Sequence, residues 1–228
     1  GLVGEDGATH HGVFDIAYLR CIPNMIVYAP LNEIALRNIL YTAQLGLNYP
    51  VAIRYPRGRG IHVDWKTNYE KLEIGRAKCL KKGTEVAVLS NGTIGNNVIE
   101  ALVNIKNLDT IAHYDFAFVK PLDENSLHTV FAMFKTIITI EDGVVNGGFG
   151  SAILEFAALH QLPIIYLVQD NEWGISVSSD EARTMNAYEF ISGFKGIEKL
   201  QVDGSDFEAS YDIMETAFHF VREHRRPI

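Results

Sequence analysis

The sequence predicts an α/β protein built from parallel or mostly parallel sheets covered by helices. Short apolar runs of strand length alternate with stretches of helical periodicity along nearly the whole chain. Such alternation is met by a parallel sheet with helices on its faces. At 47% hydrophobic and 21% charged residues, the 228-residue chain can bury a core of ordinary size.

The elements follow in order. Residues 25–29 and 51–54 are short apolar strands, and between them residues 31–45 place Ile34, Leu36, Ile39, Leu40 and Ala43 at helical spacing. A low-periodicity stretch rich in Gly, Asp and Asn, residues 58–71, reads as a linker between two α/β units. Beyond it come a strand at 86–89, a helix at 97–105, a strand at 110–114, a helix at 124–134, a strand at 136–140 and a helix at 151–160. The remainder predicts a strand at 162–168, a helix at 187–194, a strand at 199–202 and a long amphipathic helix at 206–223. Strands 86–89, 110–114 and 136–140 are expected to be the inner strands of one unit spanning residues 75–160.

Charge and cysteine content narrow the class. The formal net charge is −8 and the basic residues are scattered, which argues against a nucleic-acid partner. The longest apolar runs are too short to cross a bilayer, so no membrane partner is expected. Cys21 and Cys79 fit reduced thiols in a cytoplasmic protein. The first residues read like the interior of a sheet protein, and Arg225-Arg226-Pro227-Ile228 stops where an apolar strand would begin, so both ends look cut.

Three clusters could carry chemistry. In Gly4-Glu5-Asp6-Gly7-Ala8-Thr9-His10-His11-Gly12, glycines permit close backbone approach to a ligand, and Asp6 and His10 can bind hydroxyls or exchange protons. A solvated turn accounts for the same pattern. At a strand's carboxyl end, where parallel sheets bind ligands, Arg54, Arg57 and Arg59 form a basic cluster suited to a small anion. Surface ion pairs are the alternative. The third is Gln169-Asp170-Asn171-Glu172-Trp173-Gly174, which directly follows a predicted strand and would otherwise be a strand-to-loop turn.

Residues 1–12 with the following Val13-Phe14-Asp15-Ile16-Ala17-Tyr18-Leu19-Arg20, together with PVAIRYPRG at 50–58, FVKPLD at 118–123 and EDGVVNGGFGS at 141–151, resemble the 1-deoxy-D-xylulose-5-phosphate synthase family of transketolase-like, thiamine-diphosphate enzymes. The resemblance covers residues 1–160 and implies transketolase-like modules: a partial pyrimidine-binding domain at 1–60, a linker at 61–74 and a transketolase C-terminal-like domain at 75–161. It implies that Asp6 and His10 are catalytic groups facing substrate and that Arg57 grips the phosphate of glyceraldehyde 3-phosphate. His11 and Arg54 would be supporting groups. The other substrate implied is pyruvate, in a transferase step of isoprenoid biosynthesis.

Residues 162–228 are similar instead to the alpha subunit of branched-chain 2-oxoacid dehydrogenases, an oxidoreductase family, through Asn171-Glu172-Trp173-Gly174, Phe194-Lys195-Gly196-Ile197 and Val202-Asp203-Gly204-Ser205-Asp206-Phe207. This likeness implies a partial diphosphate-binding segment in which Asn171 ligates Mg2+ and contacts the cofactor, with the backbone of Trp173. An amide oxygen suits that hard cation. The ylid-generating glutamate of the family lies upstream of Gly1, and no Gly-Asp-Gly stands at the required distance before Asn171. Thiamine diphosphate with Mg2+ is the implied cofactor, its site incomplete in this chain and completed by a homodimer or a partner chain. The two stretches read as a mosaic, with residues 162–228 expected to be a separate, poorly anchored segment or to form an intermolecular interface at the apolar face of residues 206–223.

Overall fold

A computed structural model describes residues 3, 10–61, 63–64, 66–105, 108–144, 146–160, 162–165, 167 and 186–228. The chain divides into two compact units, Gly1–Gly150 and Ser151–Ile228.

The first unit holds two small sheets. Helix α1 (Asp15–Cys21) leads into strand β1 (Ile26–Tyr28), helix α2 (Glu33–Gln44) and strand β2 (Val51–Ile53). After the segment that follows β2 come β3 (Lys78–Lys81), β4 (Val86–Ser90), α3 (Gly95–Val103), β5 (Ile111–Asp115), β6 (Phe118–Lys120), α4 (Glu124–Met133) and β7 (Thr136–Ile140). One sheet has the order β2-β1-β6 and the other β3-β5-β4-β7. Parallel pairing joins β1 to β2, β4 to β5 and β4 to β7, whereas β6 and β3 run antiparallel to β1 and β5. The sheets are therefore mixed, each with one antiparallel edge strand. Strand β6, which follows β5 in sequence, crosses to the first sheet.

Local chemistry explains several boundaries. Asn32 precedes α2 and its side chain accepts from the Ala35 amide at 3.0 Å, satisfying an amide that the helix leaves open. Asp123 does the same for α4 through Ser126, and its second oxygen accepts from the Ala77 amide at 2.9 Å, pinning the start of the second sheet. The first sheet packs Ile26, Tyr28 and Phe118 against Ile39 of α2, with Leu72 and Ile74 closing over that cluster. Arg37 bonds the carbonyls of Thr67 and Asn68 at 2.9 Å each, so the segment expected to be a linker is fastened to α2. The second sheet packs Val88 against Val98 and Leu102 of α3. Gly95 is required there: a Cβ at this position would lie 2.7 Å from the Ser90 hydroxyl and 2.6 Å from a Leu31 methyl.

Helix α5 (Phe149–Leu159) straddles the division between the units. The second unit also contains α6 (Ala187–Ile191) and α7 (Phe207–His224). Asn186 and Glu189 form a capping box on α6, and Asp206 caps α7. Ala217, Val221 and Ile228 make its buried cluster, with Ile165 and Phe220 packed against them.

Three expectations need correction. Residues 162–165 and 167 form no strand; the Ile228 amide donates to the Ile164 carbonyl at 2.8 Å, and buried Ile164 satisfies its apolar character by packing instead of by a ladder. Residues 199–202 form no strand either, and Leu200 and Val202 remain exposed. Strand β7, expected among the inner strands, lies at the edge of its sheet, because no further strand among the described residues pairs with it. No helix among the described residues is long and apolar enough to cross a membrane.

Candidate active site

The carboxyl end of β2 meets the loop that precedes α1 and the loop that follows β7, and Arg54 joins them. Arg54 immediately follows β2 and is only 6% exposed. Its Nε donates to both carboxylate oxygens of Asp15 at 3.0 Å, and its Nη1 donates to Asp142 Oδ1. Its Nη2 donates to the carbonyls of Gly12 at 3.2 Å and Asp142 at 3.0 Å. Burial works against the guanidinium charge, but hydrogen bonding and charge from Asp142 and then Asp15 outweigh it and hold Arg54 above its usual range. A cation committed to two carboxylates is not available to an anion, so Arg54 leaves the anion-binding cluster proposed for Arg54, Arg57 and Arg59. Arg57 and Arg59 are exposed.

His10 sits in an exposed turn. His11 accepts from the Val3 amide through Nδ1 at 3.1 Å. Arg54 bonds Gly12, two residues beyond His10, and stands three residues before Arg57, so the structure sets the His10 loop beside the strand end leading to Arg57. Asp6, Asn171 and Trp173 lie outside the described residues. Among the described residues no group of three or more His, Cys, Asp or Glu side chains could hold a metal ion.

Sequence reasoning missed Asp15, Asp142 and Arg20. The loop between β7 and α5 carries Asp142, and it also bonds α1: Arg20 Nη1 donates to the Gly147 carbonyl at 2.7 Å and the Gly148 carbonyl at 3.2 Å. Gly147 has φ +81°, and a Cβ there would meet Ala17 of α1 at 2.9 Å. In the same loop Glu141 accepts from the amides of Phe149 and Gly150 at 2.8 Å each. Burial raises its pKa against the opposing pull of those amides and of Arg54. The signal available in the sequence was that these residues all lie in the motifs of the family resemblance, residues 13–20, 50–58 and 141–151.

A second polar group lies within the second sheet. Ser90 Oγ and His113 Nε2 are 2.8 Å apart on adjacent strands β4 and β5. Burial lowers the His113 pKa and pushes Asp115 up to about 7, Lys78 opposing the latter.

Comparisons with known proteins bear on the whole chain. Residues 1–60 match the family model for the transketolase pyrimidine-binding domain, and residues 75–169 that for the transketolase C-terminal domain. Residues 133–228 match the model for the dehydrogenase E1 component. The chain is 55% identical over 159 residues to the 1-deoxy-D-xylulose-5-phosphate synthase of Parabacteroides distasonis, a match covering 69% of this chain and 25% of the relative. To the synthase of Phocaeicola vulgatus it is 54% identical over 216 residues, 94% of this chain and 32% of the relative. The chain thus spans about a quarter to a third of the length of these relatives. Among solved structures, a split-gene transketolase described as an inactive beta4 tetramer matches with a TM-score of 0.59 at 29% identity, covering 67% of this chain and 50% of that one. Residues 1–60 and 75–169 thus carry transketolase-type domains in sequence order, and over some 160 residues the chain is more than half identical to 1-deoxy-D-xylulose-5-phosphate synthases.

Proposed function

We propose that this chain is part of a thiamine-diphosphate-dependent 1-deoxy-D-xylulose-5-phosphate synthase. The reaction releases carbon dioxide from pyruvate and joins the remaining two-carbon unit to the aldehyde carbon of glyceraldehyde 3-phosphate. The observation that carries this reading is the 54–55% identity to synthases from several bacteria. When bound, thiamine diphosphate supplies the carbanion stabilisation. This chain's own contribution is binding and proton transfer: Asp6 and His10 face the reacting substrate, and Arg57 holds the phosphate with its planar fork. Exposure of His10 and Arg57 on neighbouring loops supports both roles. Asn171, as a Mg2+ ligand, and the backbone of Trp173 would serve the diphosphate end. The proposed modules are 1–60, 61–74, 75–161 and 162–228, in a cytoplasmic homodimer or with a partner chain that completes the site.

The match of residues 133–228 to the dehydrogenase E1 component favours a second reading, a decarboxylating 2-oxoacid dehydrogenase component. The test is an assay of the full-length protein that contains this chain, with pyruvate, thiamine diphosphate and Mg2+. Carbon dioxide release that requires glyceraldehyde 3-phosphate supports the synthase. Release that instead requires an acyl acceptor and oxidant supports the dehydrogenase component, and no turnover with either points to a catalytically silent assembly module.

A further inference from the structure

The loop between β7 and α5 reaches the loop that carries His10 directly at one place and through Arg54 at another, and it also bonds the helix that follows that loop. Asp142 takes a guanidinium bond of Arg54, whose other nitrogen bonds the Gly12 carbonyl. The Val144 amide donates to the Val13 carbonyl at 3.1 Å. Arg20 on α1 donates to the Gly147 and Gly148 carbonyls. Glu141, at the start of the same loop, accepts from the first amides of α5 and so closes the loop. From the other side, Lys120 at the end of β6 donates to the carbonyls of Arg20 and Ile22 at 2.7 and 2.8 Å, fixing where α1 ends.

Helix α1 has only seven residues and Phe14 caps it without a side-chain hydrogen bond. So short a helix has little stability of its own. Its position, and that of the turn before it, must be set by outside contacts. Those contacts come from the β7–α5 loop and β6, both far along the sequence. Arg54 is the hub, because its fork satisfies buried Asp15, half-buried Asp142 and two loop carbonyls at once, a geometry that a lysine could not reproduce.

We propose that Asp142 and Arg54 are positioning residues: through them the β7–α5 loop holds the His10–Gly12 turn in its working place. What that turn does to substrate rests on the synthase reading above. The placement itself does not.

Two measurements on Asp142→Asn test this. Asparagine keeps an acceptor at Oδ1 and removes only the charge, so folding is retained more readily than with alanine. Hydrogen exchange on the chain should show amides of residues 12–17 opening at least about tenfold faster, while those of β4 and β5 are unchanged. In the full-length protein, kcat should fall by roughly tenfold or more at an unchanged KM for pyruvate, and Asp142→Glu should recover part of it. Unchanged exchange at residues 12–17, or a uniform rise that includes β4 and β5, would overturn the proposal. So would local opening with undiminished turnover. If the full-length wild-type protein shows no synthase activity, the functional reading fails while the exchange experiment still decides the brace. Should Asp142→Asn not fold, Arg20→Gln removes a different bond from the same loop and must give the same local opening, or the proposal falls.

Discussion

Asp115 carries a buried carboxylate on β5, opposite Ser90 of β4 and Lys78 of β3. Burial lifts its pKa from 3.8 to about 7, with Lys78 pulling the other way. The folded state therefore holds a proton that the unfolded chain releases near pH 4. Its stabilising effect is complete below that value and is lost as pH rises through about 7. Between about pH 5.5 and 7 the loss amounts to about 2 kcal/mol, one proton over one and a half pH units. Asp115→Asn cannot ionise, so relative to wild type it should gain about 2 kcal/mol of stability between about pH 5.5 and about pH 8. Urea unfolding at both pH values measures this, and an equal difference at each would show that Asp115 is already charged in the fold. Arg57 is the residue whose prediction belongs to function. In the full-length protein Arg57→Ala should raise the KM for glyceraldehyde 3-phosphate far more than that for pyruvate, because a charge-assisted phosphate contact is worth about 2–3 kcal/mol. Equal effects on both substrates would make Arg57 structural.

At the scale of elements, Asp123 shows how one side chain of the FVKPLD motif organises two of them. It caps α4 through the Ser126 amide and hydroxyl and receives the Ala77 amide at the start of the second sheet, with Arg76 3.7 Å away. Burial alone would raise its pKa, but those hydrogen bonds and Arg76 hold it below the usual carboxylate range. Asp123→Ala loses a cap and strands a sheet amide, and should cost about 2–3 kcal/mol in denaturant unfolding. Because the pKa is depressed, the difference from wild type should shrink as pH falls through the carboxylate range. A cost independent of pH would mean that the charge contributes nothing. Strands β1, β2, β4 and β7 were legible because each is a short run rich in apolar, β-branched residues, whereas β5, IAHYD, fits that description only at its first residues. Strands β3 and β6, KCLK and FVK, were not, being short, partly polar edge strands. The same rule overreached at residues 162–168 and 199–202. Apolar composition says that a segment wants burial, while a strand also needs a neighbouring ladder, which residues 162–165 replace with packing around Ile164.

For the whole molecule, the candidate site was legible where a short motif carries it and hidden where distance does. His10 and Arg57 stand out in their motifs, but the Asp15–Arg54–Asp142 network joins residues 39 and 88 positions apart, and no local pattern reveals such a bond. The mosaic organisation also reads differently beside the Phocaeicola vulgatus synthase. A match over 94% of this chain must include most of residues 161–228, so the two stretches are joined in that relative as well. Their union therefore occurs in at least one related synthase. The cofactor reading still turns on groups that the resemblance assigns elsewhere: the ylid-generating glutamate upstream of Gly1, and a Gly-Asp-Gly absent at the required distance before Asn171. On the proposed reading, Asn171 with one backbone carbonyl would supply only part of the oxygen set that Mg2+ takes. This chain by itself should therefore bind thiamine diphosphate weakly or not at all in titration calorimetry with Mg2+. The full-length protein should bind it tightly and lose that binding on Asn171→Ala. Micromolar binding by the isolated chain would show instead that residues 1–228 already contain a sufficient site.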